Sequence, residues 1–451
     1  MIMSCRNHYG SPFPRNLLVP SGPFLTEEAG SMQRKSSPFA HRTACQSLLP
    51  EAPVGIPFLR LFPVLVFIVL LTGCSGGSSG LSPAEELQAS VNADLTQYVQ
   101  AHGLPGGGMA VYLETPRGNY FASCGMPTGV DQNTRFRIAS NTKTFTAAAI
   151  MLLNQLGQLN IDDTIVSDIP HQGVPYVPTG AQYNIPNKAS ITIRELLSHN
   201  AGVFDVTNEI VPATCAEPYA GQNYPEYVLA TDPYHQFTPD EFVGVDADCQ
   251  LSYDFAPGTG HKYSNTGYSL LTIIIERVSG ISYDQFIAQN LIQPNDLAST
   301  SVPMLGWDQT IPAPFTPGYL WYNGAFTDVT QSNMSVNIGE GNIISTPADL
   351  ARWVKRLING QAGPNAASVA AMMTTTPQSN NTYGLGIEYF GSLGYGHNGA
   401  HEGYLSNMAY DPETGVTTIL YYNVWDMANL FTDQLPSLTK FSMDARAAVG
   451  Y

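Results

Sequence analysis

Residues 135–163 read RFRIASNTKTFTAAAIMLLNQLGQLNIDD. An Ala-, Leu- and Ile-rich run follows a Ser/Asn start, which predicts a helix over Ser140 to Leu156. Residues three apart share a helix face, so the Lys143 amine can reach the Ser140 hydroxyl. A serine alone is a weak nucleophile and needs an adjacent base. Lysine can be that base only when burial or nearby cations pull its pKa, ordinarily about 10.4, toward neutrality. The helix start adds unpaired N–H groups and a dipole suited to a developing oxyanion. The S-x-x-K pattern is weak in isolation: Ser437 to Lys440 repeats it, with only 11 residues following.

Working outward, Tyr263-Ser264-Asn265 follows Pro257-Gly258 and precedes a helical run, Ser269 to Glu276. A tyrosine oxygen capable of ionising, placed beside a lysine, can relay a proton between a serine and a leaving group. Tyr421-Tyr422-Asn423 has the same pattern, but its alternating neighbours mark a structural strand. His397-Asn398-Gly399 lies in YGHNGAHEGY, residues 395–404; His8, His171 and His401 open other H-x-G copies without these flanks.

With these three motifs in order, the chain resembles the serine β-lactamase and penicillin-binding-protein superfamily. Within it the resemblance is to the class C branch, with its D-alanyl-D-alanine carboxypeptidases and esterases. It covers about residues 83–425 and includes ITIRELLSHNAG (191–202) and GNIISTPADLARWVKRL (341–357). The resemblance implies that Ser140 is the nucleophile and that Lys143 and Tyr263 share the acid/base work. It further implies that Asn265, His397, Asn398 and Gly399 bind substrate, with Gly399 permitting close approach, and that Ser140 and Ala400 N–H groups form the oxyanion hole. His199 is read as a structural hydrogen-bonder. Histidine stands where β-lactamases carry a permanently charged lysine, and it is only partly charged near neutrality. Asn398 replaces the hydroxyl residue of that motif, which lowers β-lactamase relative to peptidase or esterase.

Along the rest of the chain, Leu87, Val91, Leu95 and Val99 fall four apart within a predicted helix over 83–102. Gly106 to Tyr112 and Asn119 to Cys124 read as a β-hairpin. Helical runs at 192–199, 268–279 and 283–291 stand among long loops. A further helix is expected over 347–357, and residues 427–448 look like a closing helix. Tyr383 to Phe390, Leu405 to Tyr410 and Val416 to Tyr422 read as strands. Strands at both ends and a helical middle imply an α+β class: an antiparallel sheet flanked by helices, with an inserted mainly helical lobe. The expected division is an α/β lobe of about 83–156 and 341–451 and a helical lobe of about 157–340.

The chain has 451 residues, 43% of them hydrophobic, and a net charge of −17. That composition excludes a wholly disordered chain, and 19 scattered Lys and Arg argue against nucleic acid as a partner. Leu61 to Leu71, LFPVLVFIVLL, is too short to span a bilayer but suits a secretory signal. Leu71-Thr72-Gly73-Cys74 resembles a lipoprotein box, which makes Cys74 the expected lipidation site. Residues 1–73 are then a leader, with 1–53 ahead of the expected true start, residues 74–82 a Gly/Ser tether, and 83–451 the globular domain. Export implies an oxidising compartment, where Cys215 and Cys249 could close a loop; Cys124 is read as a buried small hydrophobe.

Val203 to Pro257 carries ten acids and no Lys or Arg. It is either an active-site wall that repels anions or a solvated acidic surface. Gly76 to Gly80 spells the G-x-S-x-G nucleophile elbow, but a flexible tether is the wrong context for it. His397, His401 and Glu402 recur among glycines unsuited to a helical zinc site, so neither metal nor cofactor is expected. The expected function is a membrane-tethered serine hydrolase working through an acyl-enzyme, most like a D-alanyl-D-alanine carboxypeptidase. Its expected partners are a peptide, β-lactam or ester and the membrane of the cell envelope. A β-lactamase, a carboxylesterase and a catalytically silent cell-wall-binding lipoprotein are the alternatives.

Overall fold

The computed structural model describes residues 80–451. The leader, Cys74, most of the tether and the G-x-S-x-G segment lie outside the described residues. In chain order the elements begin with α1 (Pro83–His102), β1 (Met109–Thr115), β2 (Gly118–Cys124), β3 (Phe136–Arg137) and α2 (Thr142–Gln155). The middle holds α3 (Ile193–Leu197), α4 (Tyr224–Leu229), α5 (Pro239–Cys249), α6 (Asn265–Ser279), α7 (Tyr283–Ile287), β4 (Tyr319–Tyr322) and β5 (Ala325–Asp328). Then come β6 (Ile344–Ser345), α8 (Pro347–Ile358), α9 (Ala366–Met373), β7 (Glu388–Tyr389), β8 (Tyr395–His401), β9 (Tyr404–Asp411), β10 (Val416–Tyr422), β11 (Val424–Asp426) and α10 (Leu435–Ala448).

A six-stranded antiparallel sheet of order β2-β1-β10-β9-β8-β7 forms the centre. Alternation along β1 explains its two covered faces. Met109, Val111 and Leu113 meet α1 and α10, whereas Ala110 and Tyr112 join the larger core built around α2, α6 and α8. Helix α1 is delimited by its sequence: Ser82 and Glu85 form a reciprocal capping box, Pro83 opens the first turn, and Gly103 ends it in the left-handed region. The fold class is therefore α+β as expected, and the larger core is continuous from the sheet into the helical middle.

Several elements depart from the sequence expectation. Of 383–390 only Glu388–Tyr389 is strand. Tyr383 is instead buried with its hydroxyl among histidines, and the chain turns at Gly386, φ +69°, where a Cβ would collide with the Ala147 side chain. The nucleophile helix begins with a 3-10 turn, Ala139–Asn141. Both the 283–291 and the closing helix contain a π turn, Ala288–Ile292 and Leu430–Gln434. Cys124 is a half-buried free thiol at the end of β2.

The acidic insert is more ordered than its loop-like composition suggests. It contains α4 and α5, closes with a Cys215–Cys249 disulfide, and has its own apolar cluster of Val206, Val211, Phe237, Phe242 and Val245. Asp246 is fully buried there, so it belongs to no solvated acidic surface. Neither of its oxygens has a hydrogen-bond partner among the described residues, and burial with the adjacent Asp205 charge pushes its carboxyl well above the usual range. A carboxyl raised in the folded state holds its proton while the unfolded chain loses it, so stability falls as pH rises from about 4. Within that window the loss approaches about 1.4 kcal/mol per pH unit. Asp246→Asn should flatten this slope, measured as urea midpoints across pH; an unchanged slope would refute the assignment.

Candidate active site

The turn that presents Ser140 is strained. Ala139 has φ +52°, a left-handed conformation that costs a non-glycine residue about 1–2 kcal/mol. Its neighbours hold it in place. Asn141 Nδ2 donates to Ile138 O and to Ser406 Oγ, each at 2.7 Å, tying the turn to β9. On the other flank β3 pairs with β6, and Thr142 Oγ1 accepts the Ile343 N–H at 3.2 Å. These bonds bring the Glu340–Gly341 segment beside the nucleophile.

Lys143 is completely buried at the start of α2. Its Nζ lies 2.7 Å from Asn265 Oδ1, 3.0 Å from the Glu340 carbonyl oxygen, 3.3 Å from Ser140 Oγ and 3.4 Å from Glu340 Oε2. Burial lowers its pKa, with the Glu340 charge opposing that shift. The two shortest contacts suit the two N–H groups of a neutral amine, which leaves its lone pair for the Ser140 O–H. Glu340 then supplies a counter-charge when the amine gains a proton. This geometry answers the need for a depressed lysine pKa.

Tyr263 lines the cleft with Ser140, and Lys143 Nζ sits 4.8 Å from its ring centroid. Burial raises the phenol well above its ordinary value, so it is a neutral proton carrier rather than the phenolate the sequence allowed. Asn265 opens α6, whose Ser264 cap accepts the Gly267 N–H. His199 accepts the Ser264 N–H on Nδ1 at 3.1 Å and packs against the Tyr263 ring, the two planes tilted by 33°. That is a structural hydrogen bond within the helix start.

The third motif is placed at the same cleft with altered roles. His397 is 1% exposed; its Nδ1 contacts Asn398 O at 2.5 Å, and its Nε2 contacts Tyr383 Oη at 2.9 Å. Burial and the Lys143 charge push it down to about 3. It is therefore neutral with both nitrogens engaged, in place of the partly charged substrate contact expected. The Asn398 side chain donates to Glu388 at 3.3 Å and accepts from Asn407 at 2.9 Å. A Cβ on Gly399 would lie 2.6 Å from Ser406 Oγ and 2.8 Å from Asn141 Nδ2, and would also strike Ile138 O. The glycine admits the backbone of the nucleophile turn, whereas the expectation was approach by substrate. Ala400 follows it into the cleft beside Ser140.

The cleft holds about 270 Å³ and is lined by Ser140, Tyr263, Asn265, His397 and Ala400 together with Glu340 and Glu388. Sequence reasoning missed these two carboxylates and Tyr383. One signal was available: Glu340 and Glu388 are the sole acids between Asp328 and Asp349 and between Asp349 and Glu402. Burial pushes Glu388 up to about 7. Among the described cleft-lining residues there is neither arginine nor lysine, and the amine nearest Ser140 is the buried Lys143. His397 and His401 sit four apart on a strand, roughly 13 Å along it, and no described group of three or more His, Cys, Asp or Glu could hold a metal ion. The second S-x-x-K copy lies on α10, where Lys440 is exposed and pairs with Asp444.

Residues 91–435 match the family model Beta-lactamase. A Bacillus subtilis (strain 168) penicillin-binding protein is 28% identical over 291 residues, covering 61% of this chain and 58% of that protein. Protein flp of Staphylococcus aureus (strain MW2) is 24% identical over 325 residues, with 55% of its length covered. The chain thus spans about half the length of these curated relatives. Among solved structures, a D-stereospecific amidohydrolase from Streptomyces sp. superposes with a TM-score of 0.63 at 26% identity, covering 80% of this chain and 98% of that one. By its family match, its antiparallel sheet and the order of its three motifs, the chain belongs to the Beta-lactamase family.

Proposed function

We propose that the chain is a serine hydrolase that opens an amide or ester through an acyl-enzyme on Ser140. Lys143 takes the Ser140 proton as Oγ bonds to the carbonyl carbon. The oxyanion is held by the Ser140 and Ala400 N–H groups, and one such donor is typically worth about 3–4 kcal/mol of barrier lowering. The C–N or C–O bond then breaks as the proton passes by way of Tyr263 to the leaving group. Asn265 positions both Lys143 and the substrate amide. Water reverses the sequence and frees the acid. The observation carrying this reading is the buried Lys143 amine, whose Nζ lies 3.3 Å from Ser140 Oγ while Asn265 Oδ1 and the Glu340 carbonyl oxygen engage it at 2.7 and 3.0 Å.

The superfamily suggests a D-alanyl peptide, but the charge of this cleft favours a different subset. A carboxypeptidase or β-lactamase needs a cation for the substrate carboxylate. Here His397 is neutral, and the carboxyls of Glu340 and Glu388 face the cleft. A neutral or amine-bearing amide or ester suits those surroundings better, and the amidohydrolase likeness points the same way. Attachment to a cell envelope through lipidated Cys74 accords with the Cys215–Cys249 disulfide, which needs an oxidising compartment.

Intact mass spectrometry tests the proposal on the wild type and Ser140→Ala with fluorescent penicillin, p-nitrophenyl acetate, D-alaninamide and a D-Ala-D-Ala peptide. The expected result is an adduct on the wild type alone, with amide or acetate favoured at least about tenfold over the carboxylate-ended peptide. Preference for that peptide would refute the cleft-charge argument; no adduct with any probe would leave the silent binding lipoprotein.

A further inference from the structure

A second hollow of about 270 Å³ adjoins the reaction cleft. The two share Asn208, Asn337, Ala400, His401, Trp425 and Phe431, so the hollow opens directly beyond the proposed oxyanion donor. Its apolar surfaces come from elements outside the three motifs: Leu229 on α4, Leu320 on β4, Trp425 on β11, and Val336, Leu430 and Phe431.

The walls are held in place by bonds that also use up their polar groups. Trp425 Nε1 donates to Tyr404 O at 3.0 Å. Asn223 Nδ2 donates to Thr207 O at 2.9 Å, and Asn333 Nδ2 to His235 O at 2.7 Å. Gln434 clamps the π turn to β11 with one bond in each direction, both 2.9 Å, to Asp426 N and Val424 O. The disulfide and the insert's own core support the α4 side. What remains for a ligand is largely apolar surface, with Glu226 and Glu402 as its acidic residues.

Position identifies which half of a substrate would enter. The leaving group must receive its proton through Tyr263 and therefore departs on that side. The hollow is lined by neither Tyr263 nor Asn265 and lies past Ala400. Resting on the serine-hydrolase proposal, we infer that this hollow is an acyl-side subsite that takes an uncharged aliphatic or aromatic acyl group. Its lining residues include no Lys or Arg to pair with an anionic acyl group.

The test is a series of p-nitrophenyl esters, from acetate through butyrate and hexanoate to octanoate, which keeps the leaving group constant. Acylation kcat/KM should rise about three- to fourfold per methylene while the chain enters the hollow, and the half-ester of adipic acid should react at least about tenfold more slowly than hexanoate. Leu229→Trp and Val336→Trp fill the hollow from opposite walls. Each should reduce the octanoate-to-acetate ratio by at least about tenfold, and agreement between them separates blocking from misfolding. A flat series with a normal Ser140 adduct overturns the subsite alone. A gain that follows the alcohol portion of alkyl acetates overturns the acyl assignment. Absence of any Ser140 adduct overturns the hydrolase proposal itself.

Discussion

Lys143→Met is expected to lower the acylation rate by about three to four orders of magnitude, in the upper range for loss of a general base. The substitution keeps much of the side-chain volume in a fully buried position while removing the only amine within hydrogen-bond reach of Ser140 among the described residues. Lys143→Arg should fail comparably, because a guanidinium stays protonated and has no lone pair to accept the serine proton. In the wild type, kcat/KM should fall on the acid side as Lys143 gains its proton, because the active form is the neutral amine. The depressed pKa moves that acid limb below the ordinary lysine range. In the variants the limb should disappear. Stopped-flow acylation across pH measures both effects, with circular dichroism to check folding; an arginine variant retaining a tenth of the activity would rule out the base role. Asn265 Oδ1 and the Glu340 carbonyl lose a donor in Lys143→Met, which costs about 1–3 kcal/mol for each buried group left unpaired.

Gly399→Ala should reduce kcat/KM by about a hundredfold although it removes no reacting group. The added methyl would meet Ile138 O, Ser406 Oγ and Asn141 Nδ2, three of the atoms that hold the strained nucleophile turn. The strand or the turn must then shift, and displacements near 1 Å at a reacting centre are enough for such a loss. Thermal unfolding and burst kinetics separate the outcomes. A clear fall in burst rate with a small change in midpoint is expected, whereas wild-type acylation would show that β8 can retreat without disturbing Ser140.

The parts legible in the sequence were those set by local spacing. Ser140 and Lys143 share a helix face because of their separation, and the alternating runs at 405–410 and 416–422 are the strands β9 and β10. Tyr263 and Asn265 were legible as a motif with its flanks, and the structure gathers both around Lys143. What could not be read depends on enclosure. His397 looks the same in sequence whether its ring is wet or sealed beneath Tyr383, yet only the sealed ring is neutral. Asp246 counted as one surface acid among ten and is entirely interior. Tyr383 has strand-like neighbours, but its hydroxyl contacts His199 and His397, and that pull across the fold outweighs local β preference. Glu340 and Glu388 belong to no motif; each is isolated among the acids of its stretch, but their convergence on the cleft is set by the fold.

The pairing of β1 with β10 sets Met109 opposite Tyr422, and β8 reaches the nucleophile turn only after nearly the whole chain has been traversed. On the ribosome, Ser140 and Lys143 emerge early and the strand carrying Ala400 emerges near the end. A nascent chain halted before residue 395 would contain the serine and its base but neither β8 nor the antiparallel partners that flank it. The cleft around Ser140 is therefore assembled only when synthesis is almost finished.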